Sequence, residues 1–221
     1  MPTLTELADQ LYGADHTKKP GVYLEEYERL LETRRNDNVR VLELGVHRGV
    51  SMKMWEVYLP NAIVVGLDGN LPEMFPQSSR FHFLHGAQDD INLLNRGLEL
   101  AGGQFDIIID DASHLGCHTA RSFAHLFPHA LRPGGYYLIE DICTAFTSSG
   151  GTYDAAHYTP PEIGLPGMPR IFPSHEWGMI GLVKQLLDHT MGPTACGGYT
   201  RYAIERMIVK TNMAMFQKAG S

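Results

Sequence analysis

Cysteine is scarce in this chain, with three in 221 residues. Cys117, Cys143 and Cys196 stand far apart, in neither a zinc-binding pattern nor the framework of a disulfide-stapled fold. All three are expected to be reduced and structural. Positive charge is also in short supply. Eighteen Lys and Arg against 25 Asp and Glu give a formal net charge of -7, leaving no basic stripe to follow a phosphate backbone, so nucleic acid is not the expected partner. Long apolar runs are missing too. None approaches the ~20 residues that cross a bilayer, and the opening MPTLTELADQ lacks the basic-then-apolar order of a secretory signal. A cytoplasmic location with no membrane partner is therefore expected. With 43% hydrophobic residues the chain can bury one substantial core, and its length points to a single domain over 1–221 that binds a small molecule.

Thr3-Leu4-Thr5-Glu6 has capping-box spacing, and Leu4, Leu7 and Leu11 recur at helical intervals, so a short helix is expected to open the chain. After Lys19-Pro20-Gly21, the residues Tyr23, Tyr27, Leu30 and Leu31 share one face of a second helix, completing an N-terminal helical segment over 1–38. The pattern then changes to alternating strand and helix. Val39 to Leu44 reads as a strand, Gly45 to Gly49 as a tight loop, and Val50 to Tyr58 as a helix with Val50, Met54 and Val57 inward. Further strands are expected at 62–68, 81–84, 105–110 and 136–139. Asp89 or Asp90 caps a helix over 91–101. A later helix shows Cys117, Ala120, Phe123, Ala124, Phe127 and Leu131 on one side and is stopped by Pro133-Gly134-Gly135. Residues 144–173, rich in Gly, Pro, Ser and Thr, read as a lid or substrate loop. A helix near 175–189 and an antiparallel pair, 205–210 with 213–218 around Thr211-Asn212, close the chain. The alternation is that of a doubly wound α/β sheet.

Three constellations bear chemistry. Glu43-x-Gly45-x-x-x-Gly49-x-Ser51 occupies a strand-to-helix turn, where glycine lets backbone approach a ligand and the helix start offers free N–H groups. Its GxxxG spacing departs from the GxGxxG of dinucleotide sites, which argues against a nicotinamide cofactor. His47 in this loop fits either a ligand contact or a plain loop position. Asp68, ending the next strand, can accept hydrogen bonds from both ribose hydroxyls of a nucleoside. The third constellation decides the reading. Asp110-Asp111 and Glu140-Asp141 close two strands that lie about 4.8 Å apart as parallel neighbours. Like charges so crowded call for a cation, and hard oxygen ligands suit Mg²⁺ or a similar ion. Side-chain alternation assigns Asp111, Glu140 and Asp141 to the metal and Asp110 to the cofactor side. Pairing of these acids with Arg121 and Arg132 is the competing explanation. His114, three residues after Asp111, is placed to act as a general base. His118 could pair with it on a metal, but no HExxH acid accompanies them.

The runs FDIIIDDASH and RSFAHLFPHALRPGGYYLIED resemble the metal-dependent sugar O-methyltransferases of antibiotic biosynthesis, the macrocin and mycinamicin type. VLELGVHRGVSMKMWEVYLPNAIVVGLD resembles that group's cofactor motif, and LYGADH with YLEEYERLL its N-terminal segment, so the likeness covers roughly residues 11 to 145. It implies a Rossmann-like class I methyltransferase: a mostly parallel seven-stranded sheet, an antiparallel C-terminal hairpin, and helices on both faces. It also implies S-adenosylmethionine near Glu43, Gly45, Ser51, Asp68 and Gln88, Mg²⁺ at Asp111, Glu140 and Asp141, and a base at His114. A hydroxylated small-molecule acceptor is expected, foremost a sugar hydroxyl on a glycosylated metabolite. A phenol or catechol acceptor and a catalytically silent S-adenosylmethionine-binding module are the alternatives. Some members carry a separate N-terminal domain. Here the acceptor pocket is expected from the lid, the first helices or a second subunit of a homo-oligomer.

Overall fold

The computed structural model describes residues 2–12, 19–146, 178–195 and 201–220. Seven strands form one sheet in the order β3-β2-β1-β4-β5-β7-β6. They are β1 (Arg40–Leu44), β2 (Ile63–Asp68), β3 (Phe81–His85), β4 (Phe105–Asp110), β5 (Leu131–Ile139), β6 (Ile204–Lys210) and β7 (Met213–Lys218). The first five run parallel, and β7 joins β5 antiparallel before turning back into β6. From β1 the chain builds outward to β3, then returns to place β4 on the other side of β1. That reversal opens a crevice at the carboxyl ends of β1 and β4, where ligands of such sheets bind.

Period-two alternation sorts the strand side chains onto the two faces. Val41, Val64, Ile107, Ile109, Met213 and Met215 join one core, under helices α1 (Leu4–Tyr12), α2 (Gly21–Leu31) and α3 (Val50–Tyr58). Leu42, Val65, Ile108, Ala214 and Phe216 join the other, under α4 (Ile91–Ala101), α5 (Gly116–His129) and α6 (Gly178–Ala195). Covered on both sides, β4 is buried at all six positions, as a central parallel strand must be. In the second core Phe123 stacks on Phe127 at 4.7 Å and meets Tyr137, Tyr202 and Phe216 edge-on.

The local signals act as read at several points. Thr3 and Glu6 exchange reciprocal hydrogen bonds, Thr3 N to Glu6 Oε2 at 2.8 Å and Glu6 N to Thr3 Oγ1 at 3.1 Å. Asp90, rather than Asp89, caps α4 by accepting from Asn92 N and Leu93 N. Asn212 takes φ 62° in the β6–β7 turn, where a short polar side chain tolerates the left-handed region.

Three expectations give way to packing. Val57 is 49% exposed, because α3 turns Ser51, Met54, Trp55 and Tyr58 to the core instead. Leu11 is likewise 38% exposed, and Ala8 and Tyr12 take the inner face of α1. Pro133-Gly134-Gly135 does not stop α5. That helix ends at His129, and Leu131 already pairs with Phe105, so the three residues lie inside β5 where its register shifts against β4. Of the expected lid over 144–173, residues 147–173 lie outside the described residues, and 142–146 forms a 3₁₀ turn. No described helix is long and apolar enough to cross a membrane.

Candidate active site and metal centre

The loop after β1 is held by glycine geometry and by Asp68. Gly45 sits at φ 86°, and a Cβ there would fall 2.0 Å from the Asp111 carbonyl oxygen, so only glycine lets the β1 and β4 loops touch. Asp68 Oδ2 accepts from Val46 N at 2.9 Å and His47 N at 2.8 Å, while Oδ1 accepts from Asn70 N at 2.8 Å. The acid at the end of β2 thus shapes the loop while lining the cleft beside it. Glu43 is fully buried. Its Oε2 accepts from Trp55 Nε1 at 2.6 Å, and its Oε1 receives no hydrogen bond. Burial first of all pushes the Glu43 carboxyl above its ordinary range.

On the other wall Gln88 is a bridge. Its Nε2 donates to Asp110 Oδ1 at 2.9 Å and its Oε1 accepts from Ser113 N at 2.9 Å, which ties the loop before α4 to the loop after β4. Asp110 also accepts from the Tyr137 hydroxyl at 2.8 Å. Burial outweighs these donors and pushes its carboxyl up to about 7. A cleft of about 730 Å³ runs between the walls. Of the expected site residues, Glu43, Gly45, His47, Ser51, Asp68, Gln88, Asp111, His114 and Asp141 line it, as does His118. Gly49, Asp110 and Glu140 do not line it.

Parallel pairing of β4 with β5 sets Asp110 opposite Ile139, and the ladder runs one residue further, Glu140 N donating to Asp110 O at 2.9 Å. The acids beyond the strand ends therefore meet. Asp111, His114 and Asp141 each offer a ligand atom within 4.8 Å of the others. His114 and Asp141 reach this arrangement through left-handed backbone, φ 55° and 53°, and His47 across the cleft has φ 45°. Non-glycine residues in that region are uncommon, and they gather where surrounding structure over-determines them. The Asp141 carboxylate also lies 4.0 Å from His114 Nε2.

Glu140 faces inward instead, toward α2. Both its oxygens accept from Lys19 Nζ, at 2.8 and 3.0 Å, and Oε1 accepts from the Tyr27 hydroxyl as well. Lys19 Nζ donates at 2.8 Å to Asp111 Oδ2 and lies 3.5 Å from Glu43 Oε1. Burial works to lower the Lys19 pKa, but Asp111, Glu140 and Glu43 outweigh it and hold the ammonium well above its ordinary value. Glu140 is pushed up by burial and by Asp111, against the pull of Lys19. Arg121 and Arg132, the cations weighed against a metal, pair elsewhere, with Asp89 and Asp106.

No family model matches the chain. It is 37% identical to the mycinamicin VI 2''-O-methyltransferase of Micromonospora griseorubida, over 74% of this chain and 42% of that protein. To the demethylmacrocin O-methyltransferase of Streptomyces fradiae it is 33% identical, over 98% of this chain and 53% of that protein. The MycE methyltransferase of the mycinamycin pathway, solved in complex with Mg, SAH and mycinamycin VI, superposes with a TM-score of 0.75 at 31% identity. That match covers 99% of this chain and 55% of MycE. The chain is related to the sugar O-methyltransferases of antibiotic pathways. Its fold is that of the class I methyltransferases. It spans about half the length of the curated relatives it matches.

Within this methyltransferase relative, the runs FDIIIDDASH and YYLIED supply β4, β5 and the acids beyond them, so the most telling part of the resemblance is also the wall of the cleft. What sequence reading missed is the contribution of α2. Tyr23 and Tyr27 share a helix face with Leu30 and Leu31 and both are buried, yet their hydroxyls donate to Asp141 Oδ1 at 2.8 Å and to Glu140. Tyr23 and Tyr27 lie four residues apart on one face of α2, and Lys19 stands just before the helix, ahead of its N-cap Pro20. Two tyrosines on an otherwise apolar inward face, with a lysine just ahead of the helix, were the available signal.

Proposed function

We propose that this chain is an S-adenosylmethionine-dependent, Mg²⁺-dependent O-methyltransferase acting on a small-molecule natural product, with a sugar hydroxyl of a glycosylated metabolite as acceptor. One observation carries the reading: Asp111, His114 and Asp141 converge in the same cleft as the Glu43–Ser51 loop and Asp68. The names of the relatives, and the Mg, SAH and mycinamycin VI of the MycE complex, support the substrate class.

The donor set fits a hard divalent ion, being carboxylate oxygen with one imidazole at its edge. Asp111 and Asp141, which converge with His114, would hold the ion, and Glu140 would join them by turning from the Lys19 and Tyr27 donors it accepts from now. Glu43, Gly45, His47, Gly49, Ser51 and Asp68 would hold the cofactor from one side, and Gln88 and Asp110 from the other. When bound, S-adenosylmethionine supplies the electrophilic methyl and the ion lowers the pKa of the acceptor hydroxyl. His114 takes the hydroxyl proton, a task suited to imidazole near neutral pH. Asp141, 4.0 Å from His114 Nε2, would balance the charge that ring gains. Asp68 keeps the glycine loop in the shape the cofactor needs, through its bonds to Val46 N and His47 N.

The test is methyl transfer from labelled S-adenosylmethionine to a panel of glycosylated natural products, with diphenols as a second acceptor class. Turnover on a glycosylated acceptor that stops on exhaustive chelation and returns with Mg²⁺ is the expected result. Cofactor binding with no turnover on any acceptor would instead favour a silent binding module. A rate indifferent to chelation would make the carboxylate cluster structural.

A further inference from the structure

The carboxylates at the ends of β4 and β5 already have a cation, and it comes from the chain itself. Lys19 Nζ lies 2.8 Å from Asp111 Oδ2 and 2.8 Å from Glu140 Oε2, with its side chain 4% exposed. We propose that Lys19 is a resident counter-ion which a divalent metal must displace, so that this ammonium sets how tightly the metal binds. The proposal rests on the reading that Asp111, Glu140 and Asp141 hold such an ion.

The argument is one of space and charge. Mg²⁺ takes its oxygens at about 2.0–2.1 Å, so an ion held by Asp111 and Glu140 would compete for the oxygens that the ammonium bridges now. Two cations there would face each other with little water between them, where repulsion is screened least. The lysine nevertheless has somewhere to go. Glu43 Oε1 is 3.5 Å from Nζ, is buried, and receives no hydrogen bond. A short shift would move the ammonium from Asp111 and Glu140 onto Glu43 without exposing it. The hydroxyls of Tyr23 and Tyr27 are neutral donors to Asp141 and Glu140, and both can stay in place as the cations exchange. The same ammonium lies beside three acids, Asp111, Glu140 and Glu43, and offsets their mutual repulsion.

The alternative role for Lys19 is a permanent clamp that holds Glu140 and Asp111 in position for the metal, and the two roles differ in sign. Mg²⁺ is titrated calorimetrically into the full chain, without cofactor or acceptor, for wild type, Lys19→Met and Lys19→Arg. A competing cation predicts that Lys19→Met binds Mg²⁺ about tenfold more tightly, equivalent to ~1.4 kcal/mol, while Lys19→Arg binds no more tightly than wild type. If wild type binds Mg²⁺ and Lys19→Met binds it equally or more weakly, the competition idea is overturned and the metal site stands. If neither protein binds Mg²⁺, the metal reading fails and the role of Lys19 falls with it. Because the neutral variant leaves acids unpaired and can fail to fold, a second measurement uses the wild-type chain. The side-chain ¹⁵Nζ resonance of Lys19, assigned by its loss in Lys19→Arg, should move on adding Mg²⁺. A resonance that stays put while Mg²⁺ binds overturns the displacement.

Discussion

At the scale of single residues, three positions carry distinct tasks. In the proposed reaction His114 moves the acceptor's proton, so His114→Ala should cut methyl transfer by about 10²- to 10⁴-fold while binding of S-adenosylhomocysteine and the far-ultraviolet dichroism stay as in wild type. Near-normal turnover would remove the base from the mechanism. Gly49 has a steric task. It caps α3 at φ 86°, and a Cβ would lie 1.7 Å from the Met74 carbonyl oxygen. Gly49→Ala should therefore cost more than about 1 kcal/mol in urea denaturation, the chain having to move the 69–79 loop. Asp110 has an electrostatic one. Burial raises its carboxyl from 3.8 to about 7, so the folded chain binds that proton more readily than the unfolded chain does. The stability it contributes is full below pH 3.8 and is lost as the pH rises to about 7. Asp110→Asn should flatten that stretch of the stability profile, and an unchanged slope would assign it to other groups.

At the scale of elements, α2 and the two strand ends behave as one unit. The helix contributes Tyr27 to the core, edge-on to Trp55 with ring centroids 5.5 Å apart, and its hydroxyl to Glu140. Trp55 in turn donates to Glu43, so helices α2 and α3 both fasten acids that emerge from the sheet. Tyr27→Phe keeps the ring and removes only the donor. It should cost about 1–3 kcal/mol, the usual penalty for leaving a buried acceptor short of a partner, read from the midpoint of denaturation at constant m-value. A neutral result would mean that Lys19 alone satisfies Glu140. The elements themselves were largely legible beforehand, because apolar periodicity marks strands and helices wherever one face is buried. Legibility failed at edges of elements. Leu131 continues the helical spacing of Phe123 and Phe127 yet belongs to β5, since pairing with Phe105 outweighs three residues' worth of periodicity.

At the scale of the whole molecule, the cleft is a product of strand order. Because β4 returns beside β1 rather than beyond β3, the glycine loop, Asp68 and the β4 and β5 acids border one cavity. A ligand that bridges these walls binds only the folded chain. S-adenosylhomocysteine with Mg²⁺ should therefore raise the midpoint of thermal unfolding, by the equivalent of ~2.7 kcal/mol at a hundredfold excess over the dissociation constant. Asp68→Ala should reduce that rise, having lost the bonds that shape the loop. An equal rise in the variant would show that the loop keeps its form without the acid.

The amino-acid sequence by itself determined the alternation of strands and helices, the glycine turn after β1, and the acids at the ends of β4 and β5. Each of these is a local pattern, written in consecutive residues and in the burial of one face. Only the tertiary structure decided which groups neutralise which. Lys19 meets Asp111 and Glu140 across 92 and 121 residues of chain, and Asp110 is bridged to Ser113 through Gln88. Charge pairing depends on distance in space and on burial, and neither is encoded in the neighbourhood of any one residue. That is why the carboxylates could be read from the sequence, and the cation lying among them could not.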